Sequence, residues 1–235
     1  MKYMGSKNRI AKHILPIMLK EMEDKGYTTW VEPFVGGGNM IDKVPDKYKR
    51  IGYDLNEHTI AAMLGIRDFV NDFPNHVTED EYKEIIGNPS HPVESWIRFG
   101  CSFGGKFENG MARDLQGTPP RNFAAESKRN AIKQSPKIQS VEFICASYKD
   151  VNVENCLIYC DPPYQGTTGY KTGTFNHEEF FDWCRDMKSK GNSVFVSEYN
   201  APDYFELAWQ GEIKTNFSSQ RKEATHKAVE KLFKV

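Results

Sequence analysis

The sequence predicts an α/β fold: a doubly wound, mostly parallel sheet carrying one inserted, partly helical region. Three observations carry that expectation. A short apolar strand at Trp30 to Phe34 runs straight into Gly36-Gly37-Gly38, strand and helix patterns alternate near both ends of the chain, and the rhythm lapses between Thr78 and Lys137. At 235 residues the chain suits one α/β-sized unit with an insertion better than two independent domains. The expected division is a principal domain over residues 1–77 and 138–235, with 78–137 inserted.

Taken in order, a short helix is expected after Ser6, broken or restarted near Pro16 because proline cannot donate to the helix. The strand at Trp30 follows, then a second strand from Arg50 to Tyr53 that ends in Asp54, then a helix over Glu57 to Phe69. After the insertion, strands are expected at Val141 to Cys145, Leu157 to Cys160 and Ser193 to Ser197. Between the last two, Asn176 with Glu179 three residues on marks a helix start. Its spacing puts Phe180, Phe181, Cys184 and Met187 on one buried face. The tail, Gly211 to Phe217 and Val229 to Lys234, reads as an antiparallel pair closing a sheet edge.

Hydrophobic content of 39% and charged content of 27% fit a soluble globular chain. The longest apolar run, Ile14 to Leu19, contains Pro16 and is far too short for a bilayer. No apolar leader precedes a small-residue cleavage site, so a cytoplasmic protein is expected. Five scattered cysteines suggest reduced thiols. Cys156 and Cys160 lack a second ligand pair, so no metal is expected.

The net charge of −1 conceals strong asymmetry. Between Asp68 and Glu94 stand seven acids against Lys83 alone, whereas Arg98 to Lys137 holds eight bases against three acids. From Lys214 onward six bases face two acids. Two basic stretches of this kind can frame a polyanion groove or simply be solvated loops.

Chemistry decides between them. Asp161-Pro162-Pro163-Tyr164 follows the apolar strand Leu157-Ile158-Tyr159-Cys160, and such a tetrapeptide arises by chance in about one chain per thousand of this length. A carboxylate ending a central strand sits where α/β sheets display their ligand-binding groups. Two prolines fix φ and remove two donors, so the segment offers only acceptors: the Asp161 carboxylate and the Pro162 carbonyl. Those acceptors, with Tyr164 beside them to stack, suit a planar ring bearing an exocyclic amine. The glycine turn lets a ligand approach the backbone, and Asp54 ends the next strand where ribose hydroxyls are usually held. Ile41 occupies the place of the third glycine of a dinucleotide fingerprint, so nicotinamide is disfavoured.

In this order, Tyr3 to Lys7, Glu32 to Gly38, Asp54 and Asp161 to Tyr164 resemble the Dam-like DNA adenine-N6 methyltransferases of phages and prophages. The resemblance implies a Rossmann-like methyltransferase fold and S-adenosylmethionine as cofactor. Contacts to it would come from Tyr3, Lys7, Phe34, Gly36, Gly38 and Asp54, with Tyr148 covering the adenine and Asp161 at the reacting end. Catalysis would fall to Asp161, Pro162, Pro163 and Tyr164 acting on a base rotated out of DNA. The basic insertion takes the place of the family's target-recognition region, making Lys106, Arg113 and Arg121 the DNA-binding candidates. Expected partners are double-stranded DNA and neither membrane nor metal, with the chain a monomer or weak dimer. The same pocket chemistry also admits cytosine N4 or an RNA adenine as acceptor, and the fold alone admits an idle binding module.

Overall fold

A computed structural model describes every residue except 88–90, 108, 115–116, 165–174 and 215–226. Its seven strands are part parallel and part antiparallel, interleaved with helices, which is the α/β class the sequence predicts. By compactness the chain divides into two units, residues 1–12 with 33–151 and residues 13–32 with 152–235.

In the second unit five strands run in the order β1 (Thr29–Glu32), β4 (Leu157–Cys160), β5 (Ser193–Ser197), β7 (Lys227–Lys234) and β6 (Glu206–Lys214). The first three are parallel, with Trp30 opposite Leu157 and Cys160 opposite Val196. Every residue of β4 and β5 is buried, as parallel strands covered on both faces require. The tail pair is antiparallel as expected, with β7 between β5 and the edge strand β6. It starts earlier than the sequence suggests, at Glu206 instead of Gly211. A register shift between Leu207 and Trp209 reverses which side chains face inward, so a period-two reading loses the first half of β6.

Pro16 does not break the first helix. Ser6 caps a single 3-10 turn, accepting the Asn8 N–H, and α1 then runs unbroken from Ala11 to Lys25. Pro16 is exposed, so the Lys12 carbonyl that it leaves without an N–H lies on the solvent side of the helix. The opposite face buries Ile14, Met18 and Met22 completely. Burying three such side chains contributes about 1.5–3 kcal/mol each, which offsets a helix-interior proline at about 3 kcal/mol. In α6 (His177–Ser189), Asn176 caps the Glu179 N–H as expected, and Phe180, Cys184 and Met187 are buried. Phe181 is only half-buried, and Trp183 takes the core place assigned to it.

In the first unit β2 (Lys49–Asp54) and β3 (Val141–Cys145) pair in parallel, Asp54 opposite Cys145. Arg50 is buried within β2; its guanidinium donates to the Val44 and Lys137 carbonyls and to Ser140, and pairs with Asp46. Four helices complete the unit: α2 (Glu57–Asp68), α3 (Glu79–Gly87), α4 (Pro92–Gly100) and α5 (Phe123–Gln134). The basic insertion is therefore largely helical, and part of it is core. Trp96 of α4 stacks on Phe73 with ring centroids 4.0 Å apart, both buried. Arg98, counted among the insertion's bases, is also buried.

Helix α4 approaches α2 closely at Gly65, where an added Cβ would lie 2.7 Å from the Pro92 carbonyl oxygen. Gly65→Ala is expected to lower stability by about 1–3 kcal/mol in denaturant unfolding, because the obstacle is backbone. A gain in stability of about 1 kcal/mol, the helix-propensity advantage of alanine, would contradict that close crossing.

Candidate active site

In the first unit three loops meet around Asp54. The glycine turn takes positive φ at Gly36 (48°) and Gly38 (65°), a conformation that glycine adopts without penalty. Gly36 N–H donates to one oxygen of Asp54 at 3.0 Å and Asn56 N–H to the other at 2.9 Å. Burial nevertheless outweighs these donors and pushes the Asp54 carboxyl up to about 6. Tyr3 packs directly on the turn, so a Cβ at Gly36 would lie 2.9 Å from its ring. On the other side Tyr3 meets Phe99 at 5.6 Å. Lys7 is buried, with its ammonium donating to the Gly5 carbonyl at 3.0 Å.

The segment after β3 closes the third side. Ala146 N–H bonds the Asp54 carbonyl at 3.1 Å, and Ser147 with Asp150 caps the turn that carries Tyr148. Tyr148 is buried against Phe34, ring centroids 5.4 Å apart. Tyr3, Phe34, Gly36, Asp54 and Tyr148 thus lie together around the end of β2. Leu55 was missed: it directly follows Asp54 and is 61% exposed. A carboxylate beside an exposed apolar side chain and an aromatic pair can take hydroxyl donors on one flank and a flat ring on the other. The legible signal was an apolar residue placed immediately after a strand-ending acid.

In the second unit β4 delivers Asp161 at its carboxyl end, level with Ser197 by the register of β4 and β5. Pro162 is buried, while Asp161, Pro163 and Tyr164 are half-buried. Tyr164 donates its hydroxyl to Glu230 at 2.8 Å and meets Tyr199 edge-on, 4.6 Å between centroids. His177 Nε2 lies 3.0 Å from the Pro163 carbonyl oxygen. Tyr159 shares a 2.8 Å hydrogen bond with Ser197. Burial first, and the Asp161 charge next, drive the Tyr159 and Tyr164 phenols well above their usual pKa, so both stay protonated. Cys160 is buried and its thiol is likewise pushed well up by burial, which makes it core and not a nucleophile.

Neighbouring strands end in acids that sequence reading did not single out. Glu32, at the end of β1, is buried and accepts the Trp30 indole N–H at 2.9 Å. Glu198 follows β5 and is 0% exposed. The logic that found Asp54 and Asp161 applies to both, since each acid terminates an apolar strand.

The DNA-binding candidates are all exposed, but on different supports. Lys106 follows the 3-10 turn Phe103–Gly105, in a loop closed by the Ser102–Met111 bridge and tied to the N-terminal segment through Met4 N–H and the Gly105 carbonyl. Phe103, next to the bridge and bonded through its N–H to the Gly110 carbonyl, is 63% exposed. Arg113 pairs with Glu79, and Arg121 with Glu126; exposed pairs of this kind contribute little to stability and exchange readily. Arg121 and Lys2 both lie over the Phe123 ring, at 4.8 and 5.3 Å, a cation pair that sequence reading missed at Lys2. Most of the second basic stretch, 215–226, falls outside the described residues. Among the described residues no three His, Cys, Asp or Glu side chains group as metal ligands, and no helix is long and apolar enough to cross a membrane.

Of the five cysteines only Cys145 is exposed, and burial raises the Cys101 and Cys156 thiols to about 12. In the folded protein a disulfide reagent is expected to titrate Cys145 alone, the rest reacting only after unfolding. A second fast thiol would contradict the buried placement of Cys101, Cys156, Cys160 and Cys184.

A family model described as D12 class N6 adenine-specific DNA methyltransferase matches residues 3–89 and 114–227. The chain is 21% identical over 232 residues to the type II methyltransferase M.FokI of Planomicrobium okeanokoites, covering 88% of this chain and 34% of that protein. It is also 21% identical to the type II methyltransferase M.MjaIII of Methanocaldococcus jannaschii, over 90% of this chain and 87% of that one. The chain thus spans about a third of the length of M.FokI. Among solved structures, an rRNA methyltransferase, aviRa from Streptomyces viridochromogenes, aligns with all of this chain and 86% of its own at 12% identity and a TM-score of 0.47.

Proposed function

The chain belongs to the D12 class of N6 adenine-specific DNA methyltransferases, and from that premise we propose that it transfers a methyl group from S-adenosylmethionine to N6 of an adenine in DNA. The observation that carries the reading is Asp161, a half-buried carboxylate at the end of a fully buried strand, followed by two prolines and a tyrosine ring. Asp161 accepts an N6–H and the Pro162 carbonyl the other, turning the amine's lone pair out of conjugation. As N6 gains positive charge, the fixed Asp161 carboxylate stabilises it. Tyr164 covers the face of the base, a contact worth about 1–3 kcal/mol.

The residues of the first unit fit the cofactor. Asp54 is held by two N–H donors yet retains acceptor capacity for ribose hydroxyls. Leu55 and the Phe34–Tyr148 pair supply apolar and aromatic surface for its adenine ring, Gly36 and Gly38 shape the turn through their positive φ, and Lys7 and Tyr3 serve the methionine end. S-adenosylmethionine supplies an already activated methyl on a sulfonium. The chain's own task is then alignment and charge support, with no metal and no covalent enzyme adduct in the scheme.

For the target, we assign recognition to residues 78–137. Support comes from the family match, which leaves out residues 90–113, the stretch that includes the loop bearing Phe103 and Lys106. Lys106→Ala is expected to weaken DNA binding about equally for all sequences and to reduce the salt slope by about one; an unchanged slope would contradict a phosphate contact. Arg113→Ala tests a base contact through altered site preference.

Asp161→Ala is expected to abolish methyl transfer with the fold intact, whereas Tyr164→Trp keeps measurable activity because a ring face survives. Activity in the Asp161 variant would refute the mechanism. Asp54 adds a pH signature. Its folded pKa of about 6 lies above that of an unfolded carboxyl, so its ionisation costs stability progressively as pH rises from about 4 through 6. Ligand binding runs the other way: affinity for S-adenosylhomocysteine should fall as pH drops through about 6, when Asp54 is protonated. Asp54→Asn should flatten that profile and weaken binding about tenfold or more at pH 8, as loss of charged hydrogen bonds does. Calorimetry with a flat wild-type profile would contradict the ribose role.

A further inference from the structure

The Pro163-Tyr164 half of the motif is gripped by side chains from other parts of the second unit, and their contacts lead back to one buried carboxylate. Glu198 is 0% exposed, directly after β5. Its Oε1 accepts the Tyr199 N–H at 2.7 Å, and its Oε2 stands 3.7 Å from Nε2 of His177, the first residue of α6. The same Nε2 is 3.0 Å from the Pro163 carbonyl oxygen. Tyr199 meets Tyr164 edge-on, and Glu230 of β7 accepts the Tyr164 hydroxyl.

Proline rings fix φ at 162 and 163, which leaves ψ of Pro163 as the torsion that decides where Tyr164 goes. A hydrogen bond to the Pro163 carbonyl sets that torsion. A carbonyl only accepts, so His177 must carry its hydrogen on Nε2, and the Glu198 carboxylate facing the same atom favours that tautomer. A fully buried carboxylate is costly to keep, and an apolar side chain would pack there more cheaply. Glu198 fits the place only if its charge is used, and both its oxygens are turned toward groups that touch the motif.

The geometry points to His177 and Glu198 as a positioning pair for the catalytic motif: His177 holds the Pro163 carbonyl, and Glu198 orients His177 and Tyr199. Together they fix the Tyr164 ring against which the base is stacked. Neither touches substrate, so both act through Pro163 and Tyr164. The inference rests on the reading of Asp161 to Tyr164 as the adenine pocket, and it adds the residues that hold that pocket in register.

The test is steady-state methylation of DNA by the wild type, His177→Phe and His177→Gln, with thermal melts alongside. His177→Phe is expected to fold and to keep the KM for the cofactor while kcat falls about tenfold or more, in line with the cost of small misplacements at a reacting centre. His177→Gln restores an N–H donor near Nε2 and should recover to within about threefold of wild type. Wild-type kcat in His177→Phe, or a His177→Gln variant equally slow, would overturn the pair. Should His177→Phe fail to fold, Glu198→Gln decides by the same split, lowered kcat at constant cofactor KM supporting the pair and wild-type kcat overturning it. A readout free of activity separates this claim from the pocket itself. In a Tyr164→Trp background, with the signal of the four native tryptophans subtracted using the same His177 variants that keep Tyr164, adding His177→Gln should leave acrylamide quenching of the introduced indole unchanged, and adding His177→Phe should raise it; equal quenching in both overturns the pair. If the wild type methylates no DNA, the adenine reading falls and the quenching result alone decides the positioning claim.

Discussion

A carboxylate buried at the end of an apolar strand must find its hydrogen bonds on the spot, and this one constraint organises both units. In the first, the need is met by backbone donors. Asp54 draws in the N–H groups of Gly36 and Asn56, and so fixes the glycine turn against β2 and starts α2 at a defined point. In the second unit, a side chain meets it at one carboxylate and the backbone at the other. Glu32 takes the Trp30 indole, and Glu198 takes the Tyr199 N–H and faces His177. Desolvation raises the cost of each charge, so each is worth keeping only where something must be held or bound.

The same economy explains the insertion. Its charge admitted a polyanion groove or solvated loops, yet α4 supplies Trp96, Ile97 and Phe99 to the core of the first unit. Exposed side chains of the insertion include Phe103 and Lys106, in the loop closed by the Ser102–Met111 bridge. That loop is bonded to the N-terminal segment through Met4 and Gly105, and Tyr3 in that segment packs on the glycine turn. That loop and the glycine turn are thereby tied to the same short N-terminal segment.

Much of this was legible from residue order. Strands β2 to β5 appear within about a residue of their expected bounds; for β4 and β5 the reason is that buried parallel strands are short apolar runs between polar stops. Asp54 and Asp161 were visible because each ends such a run. Helix α1 was misjudged at Pro16, since sequence alone does not show that the lost hydrogen bond falls on a solvent-facing turn. The start of β6 was hidden by its register shift. Glu198 and His177 escaped because they lie far from the motif in sequence, and only the pairing of β4 with β5 and the start of α6 bring them to it. Lys2 escaped because its partner ring, Phe123, is supplied by a helix inside the insertion.

The central claim is that Asp161 and the Pro162 carbonyl hold an adenine amine for methylation. It is tested most directly by incubating the protein with DNA and methyl-labelled S-adenosylmethionine, digesting the DNA to nucleosides and separating them. The account predicts label in N6-methyldeoxyadenosine and nowhere else. Label in N4-methyldeoxycytidine, or DNA without label while the cofactor binds, would contradict it.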